Sequence, residues 1–148
     1  GINISLGTDG AASNNRLDLF EEMRRAARRA KAVAGDAEAM PAHAALRAAT
    51  LGGAAALGLQ ARIGSIVPGK AADLAAVRLT GPDAGPELFP CYDPASHLVY
   101  AAGRQHVTDV WVEGRRLVRD GIIDNPALSG LDTRSKLWQN TLRFHPES

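Results

Sequence analysis

The chain opens on a short alternation of apolar and polar residues that runs into a glycine-bracketed acidic turn. Ile2, Ile4 and Leu6 alternate with Asn3 and Ser5, the period of a β-strand. Gly7 and Gly10 then enclose Thr8 and Asp9, and a helical pattern starts near Leu17. This order predicts a carboxylate at the carboxyl end of a strand, in a tight turn leading to a helix. In α/β folds, reacting groups collect at that place. The same pattern also fits a turn-capping Asp with no chemical role, because Asp and Gly dominate turns on conformational grounds. Both readings stand on the local pattern.

The totals narrow the field. At 148 residues the chain is long enough for one domain, which would bury roughly 70% of its unfolded surface. Seventeen basic residues against 16 acidic ones leave no global field to attract nucleic acid or an anionic membrane. The basic cluster Arg24, Arg25, Arg28, Arg29 and Lys31 reads as a solvated helix face. One cysteine, Cys91, excludes an internal disulfide and a multi-cysteine zinc site. No apolar run reaches the roughly 20 residues that span a bilayer. A soluble cytoplasmic protein is the default expectation, with no membrane or nucleic-acid partner. The chain starts inside a strand pattern without an initiator Met, so the carboxyl-terminal piece of a longer protein is expected.

The spacing predicts a first helix over 16–34. Phe20, Met23, Ala27, Ala30 and Ala34 form its apolar stripe, Asn14 or Asn15 would cap it, and Gly35 ends it. Pro41 opens a second helix that runs to about Leu51, and a short third one ends at Gly58. His43 has no His, Asp or Glu four residues away and reads as a surface or packed side chain. Gly64 to Lys70 has the spacing of a phosphate-binding loop, but Ala71 follows the lysine where Ser or Thr is needed for magnesium. A turn at Pro68-Gly69 feeding a strand from Leu74 is the better reading. The four prolines between Thr80 and Pro94 predict a loop. Strands over 106–113 and 116–119 are expected around a turn at Gly114-Arg115, with Gly121, Asn125 and Pro126 closing the sheet. A last helix over 132–142 would set Leu131, Leu137, Trp138 and Leu142 on its packed side.

Three stretches in this order resemble the carboxyl-terminal third of a metal-dependent amidohydrolase. They are Gly7-Thr8-Asp9-Gly10 with Ser13-Asn14-Asn15, Ala45 to Gly58, and Ile63 to Leu74. The first, with Leu17-Asp18 and Glu22, is similar to the chlorohydrolase-like branch. That branch holds 5-methylthioadenosine/S-adenosylhomocysteine deaminases and s-triazine hydrolases.

The resemblance implies an α/β fold: the last strand and helices of a (β/α)8 barrel, plus part of a small β-sandwich. Residues 1–60 would be the terminal barrel segment, 61–125 the sandwich strands and loop, and 126–148 a carboxyl-terminal helix. Gly1 to Thr8 would be the eighth barrel strand. The function implied is hydrolysis of C–N bonds other than peptide bonds, and the favoured reaction is deamination of an adenine-type nucleoside. Triazine, guanine or cytosine hydrolysis and a non-catalytic structural module remain alternatives. The cofactor implied is one divalent metal ion, zinc first, with iron or manganese as alternatives. Asp9 matches the family's aspartate that ligates or adjoins this metal and takes the proton from the attacking water. Ser13 and Asn14 would lie beside the substrate. A bound metal lowers the pKa of water from about 15.7 to about 7, and a fixed carboxylate can carry the released proton to the departing ammonia. A catalytic zinc needs about three protein ligands, and none of His43, His97, His106 and His145 is spaced as a His-x-His pair. The amino-terminal part of the barrel is therefore an expected partner of this chain, alongside a small-molecule substrate. Homo-oligomerisation stays open, and the chain alone is expected to be inactive.

Overall fold

The computed structural model describes residues 1–124, 126–128 and 130–143. Among these residues five α-helices and one sheet make a mixed α/β arrangement. They are α1 (Leu19–Ala34), α2 (Ala42–Ala49), α3 (Leu51–Ala56), β1 (Leu74–Val77), α4 (Pro94–Tyr100), β2 (Val107–Val112), β3 (Arg115–Arg119), β4 (Ile122–Ile123) and α5 (Leu131–Arg143). The sheet is antiparallel throughout, in the order β1-β2-β3-β4. Among the described residues it is the only sheet.

Helix α1 forms where the apolar stripe predicts it but starts three residues later than expected. Leu17 takes a left-handed φ of 46°, which a helix cannot contain, so the helix begins beyond it. Asp18, not Asn14 or Asn15, is the cap: its Oδ1 accepts the Phe20 amide at 3.1 Å. Gly35, at φ 62°, ends the helix and returns its amide to Lys31. Met23 and Ala27 are buried. They form the main core with Ala42 and Ala45 of α2 and Ala95 and Val99 of α4, and Leu6, Phe20 and Met40 pack against it. Alanine at these positions lets helix backbones approach closely. Removing a buried side chain the size of Val99 from water contributes about 1.5–3 kcal/mol.

Arg24 departs from the solvated face expected of the basic cluster. Its guanidinium donates to the carbonyls of Tyr100 (3.0 Å) and Ala102 (2.6 Å) and to Glu21 Oε2 (3.0 Å). Those carbonyls lie at the carboxyl end of α4, where a helix leaves acceptors without internal partners. One planar fork therefore locks α1 to α4.

Helix α4 lies in a region expected to supply sandwich strands. Asp93 accepts the amides of Ala95 and Ser96, each at 3.2 Å, and Pro94 takes the first helical position. These local signals outweighed a short apolar run that has no polar alternation.

Three further expectations need correction. Residues 1–8 form no strand. A strand exists through its ladder, and here the segment bonds to helices instead: Leu6 N–H donates to Ala48 O at 3.1 Å and Asn3 Nδ2 to Gly52 O at 2.9 Å. The β2–β3 turn is Glu113-Gly114, with φ of 50° and 80°, the double-positive geometry of a type I′ hairpin. Leu131, Leu137 and Trp138 of α5 are 48%, 62% and 68% exposed, so their apolar side is not buried. Asn125 and His145 lie outside the described residues.

The segment from Gly64 to Lys70 turns at Pro68-Gly69 and leads into β1, as read from the missing Ser or Thr. The Lys70 ammonium is spent internally, on Ser65 Oγ (2.7 Å), Ile63 O (3.3 Å) and Gln60 O. Among the described residues no helix is long and apolar enough to cross a membrane.

Candidate active site

The glycine-bracketed turn stands at the surface, beside the amino end of α1. Residues 7–9 and 12–15, with Glu22 and Arg25 of α1, wall an open cleft. The turn closes on itself, because Gly10 O accepts the amides of Ser13 (3.1 Å) and Asn14 (3.0 Å). Asp9 sits at a left-handed φ of 59°, a conformation that Asp tolerates better than most side chains.

The Asp9 carboxylate is held at both oxygens. Oδ1 accepts the Gly10 amide at 2.7 Å and Oδ2 accepts the Ser13 hydroxyl at 2.8 Å. The hydroxyl first, and the amide second, hold its pKa below the ordinary 3.8. Asp9 is exposed to solvent, so at neutral pH it is an ionised carboxylate with a free lone pair on each oxygen. It can accept a proton or a cation from the cleft. Both donors come from its own turn, and they also weaken it as a base.

Ser13 is brought to Asp9, with its hydroxyl aimed at the carboxylate. Asn14 is turned the other way: its Nδ2 donates to Thr8 O at 2.9 Å and to Glu22 Oε1 at 3.0 Å. The sequence marked Glu22 only as part of the stretch that resembles the chlorohydrolase-like branch. Nothing in the sequence announces an Asn–Glu contact eight residues apart across a left-handed turn.

A second polar site was also not foreseen. His106, only 7% exposed, accepts the Gly103 amide on Nδ1 at 3.0 Å and meets Glu87 Oε1 through Nε2 at 3.1 Å. The first bond fixes the tautomer, so Nε2 carries the hydrogen and donates to Glu87. His106 ties the 82–88 loop to the start of β2 and lines no cleft with Asp9.

Among the described residues there is no group of three or more His, Cys, Asp or Glu side chains that could hold a metal ion. Asp9 offers one oxygen ligand where a catalytic zinc takes about three from the protein. The residues present do not make a complete metal centre.

The amidohydrolase family profile matches residues 1–117, from the first segment through the Asp9 turn and into β3. The chain belongs to the amidohydrolase family. It is 42% identical over 142 residues to a 5-methylthioadenosine/S-adenosylhomocysteine deaminase of Teredinibacter turnerae, covering 96% of this chain and 31% of that protein. An adenosine deaminase from Xanthomonas campestris, solved with bound zinc, superposes with a TM-score of 0.88 at 46% identity, over 97% of this chain and 32% of its own. The atrazine chlorohydrolase of Arthrobacter aurescens TC1, complexed with zinc, gives a TM-score of 0.72 at 28% identity, over 93% and 30% of the two chains. This amidohydrolase chain thus spans about a third of the length of the relatives it matches.

Proposed function

We propose that this chain is the carboxyl-terminal portion of a hydrolase that deaminates an adenine-type nucleoside. 5-Methylthioadenosine or S-adenosylhomocysteine is the expected substrate. In that reaction water adds at the carbon bearing the exocyclic amine, the C–N bond breaks, and ammonia leaves behind a carbonyl. One observation carries the substrate class. The likeness to the adenosine deaminase, at 46% identity and a TM-score of 0.88, exceeds that to the chlorohydrolase, at 28% and 0.72.

In this reading residues 1–60 belong with the missing barrel walls, and Asp9 is the carboxylate that this chain adds to the centre. It is ionised and open to the cleft, so it can take the proton released as water adds and return it to the departing amine. A positioned side chain in that role contributes about 10²- to 10⁴-fold in rate. Ser13 holds the carboxylate ready for that exchange. A divalent metal, with zinc suggested by the zinc-bound relatives, would take most of its ligands from residues outside this chain.

The test is a substrate panel on the full-length protein. Adenine nucleosides should be converted to the hypoxanthine product faster than a triazine, guanine or cytosine is hydrolysed. Turnover of the triazine without any of an adenine nucleoside would overturn the assignment. The 148-residue chain alone, with added zinc, should release no ammonia from methylthioadenosine.

A further inference from the structure

The side chain of Asn14 has almost nothing left to offer a substrate. A primary amide carries two N–H hydrogens and one carbonyl oxygen. Here Nδ2 donates to Thr8 O and to Glu22 Oε1, at 2.9 and 3.0 Å, and Oδ1 accepts the Arg16 amide at 3.2 Å. Both hydrogens are spent, and one lone pair remains.

The partners show what this arrangement does. Thr8 O belongs to the planar peptide that joins Thr8 to Asp9. Holding that oxygen fixes the peptide plane from which Asp9 departs at φ 59°, a setting that costs energy and persists only where the surroundings impose it. The other anchor, Glu22, lies in the first turn of α1. It is a firm point, because the buried Met23 follows it and Arg24 bolts the helix to α4. Arg25 Nη1 stands 3.7 Å from the same Glu22 oxygen. A rigid helix therefore reaches the backbone of the turn through two side chains, while Ser13 and Gly10 aim the carboxylate from the opposite side.

We propose that Glu22 and Asn14 are positioning residues. The Glu22 carboxylate orients the Asn14 carboxamide, which clamps the Thr8–Asp9 peptide so that the Asp9 carboxylate faces the cleft. The inference deepens the functional reading and rests on Asp9 being the proton carrier. Both side chains line the cleft, but the Asn14 hydrogens are spent on Thr8 and Glu22, so the clamp acts on the rate of the chemical step more than on substrate binding.

The experiment uses the full-length protein with Glu22→Ala, Glu22→Gln, Asn14→Asp and Asp9→Asn. It follows kcat, KM, Tm and hydrogen–deuterium exchange over residues 7–16. Glu22→Ala should lower kcat between about tenfold and about a hundredfold, the scale of a catalytic group displaced by about 1 Å, with KM and Tm unchanged. Exchange over 7–16 should quicken. Glu22→Gln should recover most of the rate, because its amide oxygen still accepts from Asn14 Nδ2 although the charge is gone. Asn14→Asp keeps the acceptor for Arg16 but loses both donated bonds, so it should match Glu22→Ala. It carries the comparison if Glu22→Ala does not fold. Wild-type kcat in Glu22→Ala or Asn14→Asp would overturn the clamp, as would Glu22→Gln as damaged as Glu22→Ala. The exchange measurement reads the clamp without chemistry, so unchanged exchange overturns it on its own. Asp9→Asn tests the functional reading separately: wild-type kcat there removes the catalytic role of Asp9, whatever the exchange shows.

Discussion

Gly52 and Ile4 approach so closely that no side chain fits between them. A Cβ on Gly52 would fall inside the van der Waals envelope of the Ile4 carbonyl oxygen and 3.0 Å from the Arg47 carbonyl oxygen. The first segment therefore lies on the backbone of α3, where Asn3 also reaches Gly52 O. This seat carries the chain toward Leu6 and then to the Asp9 turn.

Gly52→Ala should cost about 1–3 kcal/mol, the usual penalty for forcing an added methyl group into a packed site. Urea unfolding of the chain measures it, and proteolysis should become faster within the first eight residues. A variant as stable as the parent would show that the first segment is not seated there.

The pKa of Asp9 is depressed first by the Ser13 hydroxyl and second by the Gly10 amide. A carboxylate with a lowered folded pKa adds stability above its unfolded value, and that stability is lost as pH falls through the folded value. Ser13→Ala should therefore raise the Asp9 pKa toward its ordinary 3.8. It should also reduce the contribution of Asp9 to stability at neutral pH. Carboxyl carbon titration by NMR follows the first effect directly. An unchanged midpoint would mean that the hydroxyl does not hold the carboxylate.

His106→Ala should destabilise the fold by about 1–3 kcal/mol, because the buried Gly103 amide loses its acceptor. The stem of the 82–88 loop, with Leu88 and Ala84 packed on Ala102, should become the most exchange-labile part of the core. Denaturant unfolding with peptide-level exchange checks both effects. Full stability in the variant would contradict the role drawn for the ring.

Much of the fold was legible in the sequence wherever a local rule decides it. The stripe at Met23 and Ala27, the left-handed stop at Gly35, the Pro68-Gly69 turn and the β2–β3 hairpin all follow from short-range chemistry. The failures fall where partners decide. Ile2, Ile4 and Leu6 have the period of a strand, but a strand needs a neighbour to pair with, and here Leu6 and the Asn3 side chain bond to helices α2 and α3 instead. Ile2 and Ile4 are left 95% and 61% exposed. The Asp9 turn was visible as a turn because Gly-Thr-Asp-Gly restricts the backbone in a readable way. Asn14 and Glu22 were not legible as a pair, because the left-handed Leu17 that brings them together carries a side chain no rule assigns to that conformation.

The most direct measurement is kcat for Asp9→Asn in the full-length protein, with methylthioadenosine as substrate. The amide side chain keeps the size of Asp9; its oxygen can accept the Gly10 hydrogen and its N–H can donate to the Ser13 hydroxyl oxygen, but it cannot take a proton. Turnover should fall by about 10²- to 10⁴-fold, with Tm and exchange over residues 7–16 unchanged. Near-normal turnover would contradict the account, because it would leave Asp9 as a turn-forming residue and nothing more.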